Sequence, residues 1–283
     1  MNVESDAPTL SASLFSTYNL FSFINNYGLI KCLSKMDKHG ILESINIAFY
    51  TAISYFAKYY NVIDFCNSGG FTILNLLAKN INKIYENLEV IMDFSYEFVG
   101  GNVYKIEGRN GTGKSTLLRI LSGLEQCESG TILVQNQKKL ISIEEYSKAN
   151  KILYLPDIDL CQEWLTIEEN IEWLHVMSGV KMDETVELYR ELNILEEDYK
   201  KVAVECSLGT RMKVGLSLLY SLYDYKLIFI DETLAHLDTI FREKYLKKLK
   251  KYAKNKNAVI FLIDHEDIDD SSIKTIKLVK GDI

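Results

Sequence analysis

GRNGTGKST, residues 108–116, fits the pattern G-x-x-x-x-G-K-[ST] at every fixed position. Gly108, Gly111 and Gly113 leave the backbone free of side chains, so that successive N–H groups can curl round the phosphates of a nucleotide. Arg109, Asn110, Thr112 and Thr116 fill the rest of the loop and are expected to line the same cradle. The helix expected to begin at Lys114 adds the positive end of its dipole. Lys114 is placed to reach the β- and γ-phosphate oxygens, and the Ser115 hydroxyl to ligate Mg²⁺. A glycine-rich turn between strand and helix can match the pattern by chance. Here KIEG (105–108) reads as a strand and TLLRILSGL (116–124) as a helix with an apolar stripe, the context the motif requires. The chain is expected to bind a nucleoside triphosphate.

The bulk numbers narrow the class. With 283 residues the chain can hold one large domain, or a medium one with a small addition. A 47% hydrophobic and 25% charged composition excludes a disordered or fibrous chain. The formal charge of −7 gives no basic footprint, so nucleic acid is not the expected partner. Cysteines 32, 66, 127, 161 and 206 are scattered and odd in number, which reads as reduced cysteines in a cytoplasmic setting. MNVESDAP at the start lacks the basic region of a signal peptide. The most apolar stretch, SINIAFYTAISYFA (44–57), falls short of the ~18–20 apolar residues of a membrane span.

Two parts can be separated. Residues 1–77 are aromatic-rich and short of chemical motifs. Ile45, Phe49, Ile53, Phe56 and Tyr60 follow helical spacing, so this part is expected to be small and mostly α-helical. The run NSGG (67–70) breaks the pattern. From 78 to 283, strand-type runs alternate with amphipathic helices, which predicts an α/β domain with a largely parallel sheet. VYKIEG (103–108), KILYLP (151–156), KLIFID (226–231) and AVIFLID (258–264) are the strand candidates. The last three are nearly continuous apolar runs, as strands covered on both faces require. EKYLKKLKKYAKNKN (243–257) is read as a helix buried on Tyr245, Leu249 and Tyr252, with its lysines in solvent. The acids from Asp264 to Asp270 are read as the start of a helix rather than a metal site.

A phosphate loop needs an acidic partner, and KLIFIDE (226–232) supplies one. Its strand delivers Asp231 to a carboxyl end, where it can hold Mg²⁺. Glu232 follows and is the expected general base for the attacking water, a role worth ~10²–10⁴-fold in rate. With this element in place, residues 78–283 resemble the nucleotide-binding domain of an ABC transporter. The motifs come in the family's order. INKIYENLEVIMDFS (81–95) is similar to the segment carrying the adenine-stacking aromatic, which makes Tyr85 that residue. SLGTRMKVGLSLLYSL (207–222) resembles the signature helix, with Ser207 and Gly209 where the family contacts the γ-phosphate from the opposing subunit. ETLAHLD (232–238) resembles the loop ending in an interface-crossing aspartate, Asp238. FLIDHED (261–267) places His265 where the family's switch histidine senses the γ-phosphate.

The pattern has departures. YLPDIDL (154–160) resembles the loop that normally carries glutamine, and Asp157 stands at that position. Being one methylene shorter and charged, Asp157 would reach Mg²⁺ through water or a closer backbone; a tolerated substitution is the other reading. Leu208 replaces a usual glycine and Thr210 a usual glutamine, neither of which removes Ser207 or the helix start.

The resemblance implies a P-loop NTPase fold of the ABC type: a parallel core sheet, an antiparallel β subdomain and a helical signature subdomain. It implies ATP and Mg²⁺ as ligands and ATP hydrolysis in a head-to-tail dimer, homomeric or heteromeric. The partner would be a polytopic membrane subunit on a separate chain, with this chain peripheral at the inner face of the cell membrane. The SLGT and YLPD forms are similar to small bacterial exporters of peptides, antibiotics or lipid-like compounds. The alternative is a soluble ABC-type ATPase in cofactor assembly or another role outside transport.

Overall fold

Alternating burial along LNLLAKNINKIY makes the first strand, β1 (Leu74–Tyr85), with Leu74, Leu76, Ala78 and Ile81 turned inward. The computed structural model describes residues 74–86, 88–136, 139–264 and 270–278. Of the stretch 1–77 expected to precede the domain as a helical region, residues 74–77 already belong to β1; the rest lies outside the described residues. The chain continues through β2 (Leu88–Val99), β3 (Asn102–Glu107), α1 (Lys114–Leu121), β4 (Ser129–Asn136), β5 (Lys139–Ser142) and α2 (Ile143–Ala149). Next come β6 (Leu153–Leu155), α3 (Ile167–Met177), α4 (Leu188–Glu191), α5 (Glu196–Tyr199) and α6 (Leu208–Leu216). The last described elements are β7 (Leu227–Asp231), α7 (Thr239–Lys256), β8 (Val259–Ile263) and β9 (Lys274–Lys277).

The strands form two sheets. One is antiparallel, in the order β2-β1-β4-β5, and the other is parallel, in the order β6-β7-β8-β3-β9. Between β6 and β7 the chain is helical, from α3 to α6. These are the parallel core, antiparallel subdomain and helical subdomain that the resemblance implied.

The apolar runs of β7 and β8 are buried on both faces, and their period of two splits them between two cores. Ile228, Ile230, Ile260 and Leu262 join the core shared with α3, α6 and α7. Leu227, Phe229, Val259, Phe261 and Ile263 join the one shared with α1 and the antiparallel sheet. There the Phe229 and Phe261 rings stack with centroids 4.7 Å apart, and Phe98 meets Phe261 edge-on at 4.6 Å, fixing the antiparallel sheet to the parallel one.

Helix boundaries follow local chemistry. Gly123, at φ 77°, ends the turn after α1. Thr166 and Glu169 form a capping box on α3. The signature run 207–222 is α-helical only to Leu216 and tightens to a 3₁₀ turn over Ser217–Tyr220. On α7, Tyr245 and Leu249 are buried as the stripe required, and Asn257 closes the helix at φ 51°. Of the acids after β8, Asp264 pairs with Arg242 at 2.8 Å and Asp270 pairs with Lys250, while 265–269 lie outside the described residues.

His175, on α3, is buried in the helical core. Ser217 donates its hydroxyl proton to the Val214 carbonyl at 2.6 Å, so its oxygen accepts from His175 Nε2 at 3.2 Å. Nε2 therefore carries a proton, and Nδ1 is buried with no partner among the described residues. Burial pushes the imidazole pKa below its ordinary value, outweighing the Ser217 contact. The unfolded chain then takes up a second ring proton at higher pH than the fold does, so the fold should lose stability as pH falls through about 6.5. Urea unfolding followed from about pH 8 to about 5.5 should show a shallower loss in His175→Gln than in the wild type.

Candidate nucleotide-binding site

β3 runs into the glycine loop and out into α1, as the flanking sequence predicts. Gly111 and Gly113 have φ of 77° and 90°, a region that favours glycine. Gly113 is also crowded: a Cβ there would stand 2.5 Å from Val90 Cγ1, so β2 packs directly on the loop. Thr112 ties the loop inward, its N–H and Oγ1 donating to the Arg109 carbonyl at 3.2 and 2.8 Å. Arg109 and Asn110 are exposed at the tip. The first turn of α1 has neither a side-chain cap nor an acid, so its positive end is left for an external anion. Lys114 is buried, its ammonium donating to the Gly108 and Arg109 carbonyls at 3.1 and 3.4 Å. Thr116 is buried and accepts from Arg119 at 3.3 Å.

The acidic strand meets this loop. Asp231, the last residue of β7, is 5% exposed and accepts from Ser115 Oγ at 2.9 Å and from Tyr154 Oη at 2.9 Å. Burial lifts its carboxyl above the usual range, against the two hydroxyl donors that favour the charged form. A carboxylate and a hydroxyl side by side are a hard oxygen donor pair, which fits Mg²⁺. Among the described residues no group of three or more His, Cys, Asp or Glu is gathered to hold a metal alone. A Mg²⁺ ion held by this pair would need phosphate oxygens as further ligands, as is usual for that ion. Glu232 follows in the left-handed region at φ 54°, its N–H donating to the Ile263 carbonyl at 3.2 Å. Such backbone persists in a non-glycine residue only where its surroundings enforce it.

The remaining expected residues stand on other elements. Tyr85 ends β1, partly exposed, and its hydroxyl donates to Glu125. Glu125 also takes Arg119 Nε at 2.9 Å and Lys83 Nζ at 3.1 Å. Burial alone would raise the Glu125 carboxyl, but these three donors hold it below its usual range. Ser207 caps α6, its Oγ accepting from the Thr210 N–H at 3.1 Å, and Leu208 beside it is exposed. Gly209 starts α6 so close to the loop after β7 that a Cβ would stand 2.9 Å from the His236 carbonyl oxygen. Asp238 caps α7, accepting from the Phe241 N–H at 2.9 Å.

Asp157 is not among the groups touching Ser115 or Asp231. Its partner among the described residues is His236, with Nε2 to Oδ1 at 2.7 Å. His265 lies outside the described residues. The structure thus joins Lys114, Ser115 and Asp231 at one edge. It adds Tyr154, His236, Arg119 and Glu125, which the motifs did not single out. Tyr154, His236 and Arg119 stand inside quoted runs, YLPDIDL, ETLAHLD and TLLRILSGL, but the partners of the first two lie far off in sequence.

Residues 91–235, more than half of the chain, match the family model described as ABC transporter. The chain is 30% identical over 213 residues to the cytochrome c biogenesis ATP-binding export protein CcmA of Vibrio cholerae, covering 73% of this chain and 99% of that protein. It is 25% identical over 198 residues to the spermidine/putrescine import ATP-binding protein PotA of Thermotoga maritima, covering 69% and 53%. Among solved structures, a putative ABC transporter ATP-binding protein from Pyrococcus furiosus matches with a TM-score of 0.61 at 24% identity, over 72% of this chain and 97% of that one. The ATP-binding cassette MJ0796, solved as a dimer in a post-hydrolysis state with ADP and Pi, matches with a TM-score of 0.60 at 21% identity, over 73% and 95%. At these identities the two structures speak for the fold.

Gly113→Ala should weaken ATP binding at least about tenfold in titration calorimetry, because a Cβ at that φ is strained and also strikes Val90. Adding Val90→Ala relieves the clash alone and should restore part of the affinity.

Proposed function

The chain belongs to the ABC transporter family as an ATP-hydrolysing ATP-binding subunit, and from that premise we propose that it works as a head-to-tail dimer driving a separate membrane subunit. Among the described residues no helix is long and apolar enough to cross a membrane. The observation that carries the site assignment is the meeting of Ser115 with Asp231, which brings the phosphate loop and the acidic strand to one point.

The backbone N–H groups from Gly111 to Thr116 and the Lys114 ammonium bind the β- and γ-phosphates, with Arg109, Asn110 and Thr112 shaping the loop around them. Tyr85 stacks on the adenine, its ring steadied by Glu125. Ser115 and Asp231 hold Mg²⁺, which when bound neutralises charge on the phosphates. Glu232 accepts a proton from water as the water oxygen bonds to the γ-phosphorus. The bond from that phosphorus to the β–γ bridging oxygen breaks, and its electrons leave with ADP. His265, two residues beyond β8 in the sequence, is assigned the sensing of the γ-phosphate by the family resemblance. Ser207, Gly209 and the start of α6 from a second copy contact the same phosphate, and Asp238 crosses the interface.

The transport direction proposed is export, of a peptide, antibiotic or lipid-like compound. It is supported by the near full-length similarity to an ATP-binding export protein. That relative's printed role in cytochrome c biogenesis also favours a second reading, an ATPase serving cofactor assembly.

Glu232→Gln should keep ATP binding while steady-state turnover falls at least ~10²-fold; unchanged turnover would remove Glu232 as the base. Captured from solubilised membranes with ATP·Mg²⁺, the same variant should bring down a polytopic membrane protein. Recovery of soluble partners alone would overturn the transport reading.

A further inference from the structure

Two loops at the carboxyl edge of the parallel sheet are joined by a hydrogen bond that the roles above leave unused. His236 Nε2 lies 2.7 Å from Asp157 Oδ1, linking the loop after β6 to the loop after β7. Both side chains are partly exposed, at 33% and 48%, so the pair can re-form without burying a charge. Thr233 reinforces the seam, with Oγ1 3.2 Å from the Leu155 carbonyl oxygen and 3.1 Å from that of Pro156. His236 ends the 3₁₀ turn Thr233–His236, which begins directly after Glu232, and its carbonyl faces the start of α6 at Gly209. One residue, through its side chain and its carbonyl, therefore links the turn after Glu232 to the Asp157 loop and to the start of α6.

The strain at Glu232 gives this contact a purpose. A left-handed glutamate persists only if its neighbours over-determine it. The Glu232 N–H is held by the Ile263 carbonyl, and the Glu232 carbonyl receives the Ala235 N–H at 2.9 Å. The turn containing Ala235 is in turn held to the neighbouring loop by Thr233 and His236. Asp157 spends its carboxylate on the imidazole rather than on Ser115 or Asp231.

We propose that His236 is a positioning residue for ATP hydrolysis: its hydrogen bond to Asp157 locks the loop after β6 to the Glu232–Asp238 loop and so fixes the base. Asp157 is then a tether and not a metal ligand. This rests on the ATPase reading of the site.

The test is a double-mutant cycle in the full chain with His236→Ala, Asp157→Ala and both together. Each single change should lower kcat about tenfold with the KM for ATP within about twofold, and the double change should cost no more than either. His236→Gln, whose amide N–H can stand in for Nε2–H, should recover most of the rate. The Mg²⁺ concentration for half-maximal turnover should stay put in Asp157→Ala. In nucleotide-free protein, hydrogen exchange over 155–159 and 232–236 should quicken in His236→Ala. A double mutant losing about a hundredfold, a raised Mg²⁺ requirement, no rescue by glutamine, or unchanged exchange would each overturn the proposal. Absence of turnover in the wild type would overturn the ATPase reading and this inference with it, whereas wild-type turnover with independent singles overturns this inference alone.

Discussion

A buried carboxylate at the end of a strand is costly unless other groups answer it, and Asp231 is the point on which the site's geometry turns. Its two hydroxyl partners come from opposite directions, Ser115 from the helix after the glycine loop and Tyr154 from β6. That convergence is possible because the core sheet is parallel. β3, β6, β7 and β8 all end at one edge, so loops distant in sequence meet there. The same burial that makes Asp231 expensive keeps water from weakening its attraction for a cation.

The parallel sheet can expose that edge only because both its faces are covered. One face packs against the antiparallel sheet and α1 through the Phe98, Phe229 and Phe261 rings, which also brings Val90 of β2 onto the glycine loop. The other packs against the helical part, whose α6 starts against the loop after β7. Glu232, the Ser115–Asp231 pair and α6 thus share one framework, in which the neighbouring loops are joined by contacts of hydrogen-bond length.

Much of this was legible because its signals are local. The glycine spacing of 108–116, the apolar runs of β7 and β8 and the stripe of α7 each need only neighbouring residues to be read. The fold class and the elements carrying Lys114, Ser115, Asp231 and Glu232 follow from them. What stayed hidden is pairing across the chain. Tyr154 with Asp231 joins two neighbouring strands, and His236 with Asp157 joins two loops, with no period or spacing to announce either contact. Asp157 stands where a glutamine is usual, which leaves both a reach to Mg²⁺ through water and a tolerated substitution open, and its contact with an imidazole has no local signal. The 3₁₀ ending of the signature run and the start of β1 at Leu74 are boundary effects set by packing, which local propensity reads poorly.

The central claim is that one copy holds half of an ATP site and a second copy supplies the rest through Ser207 and α6. The most direct measurement is the molar mass of Glu232→Gln in solution by light scattering, with and without ATP·Mg²⁺. The account predicts a monomer without nucleotide and a dimer with it, reverting to monomer when Ser207 is changed to arginine. A mass that ignores ATP while ATP is bound would contradict it.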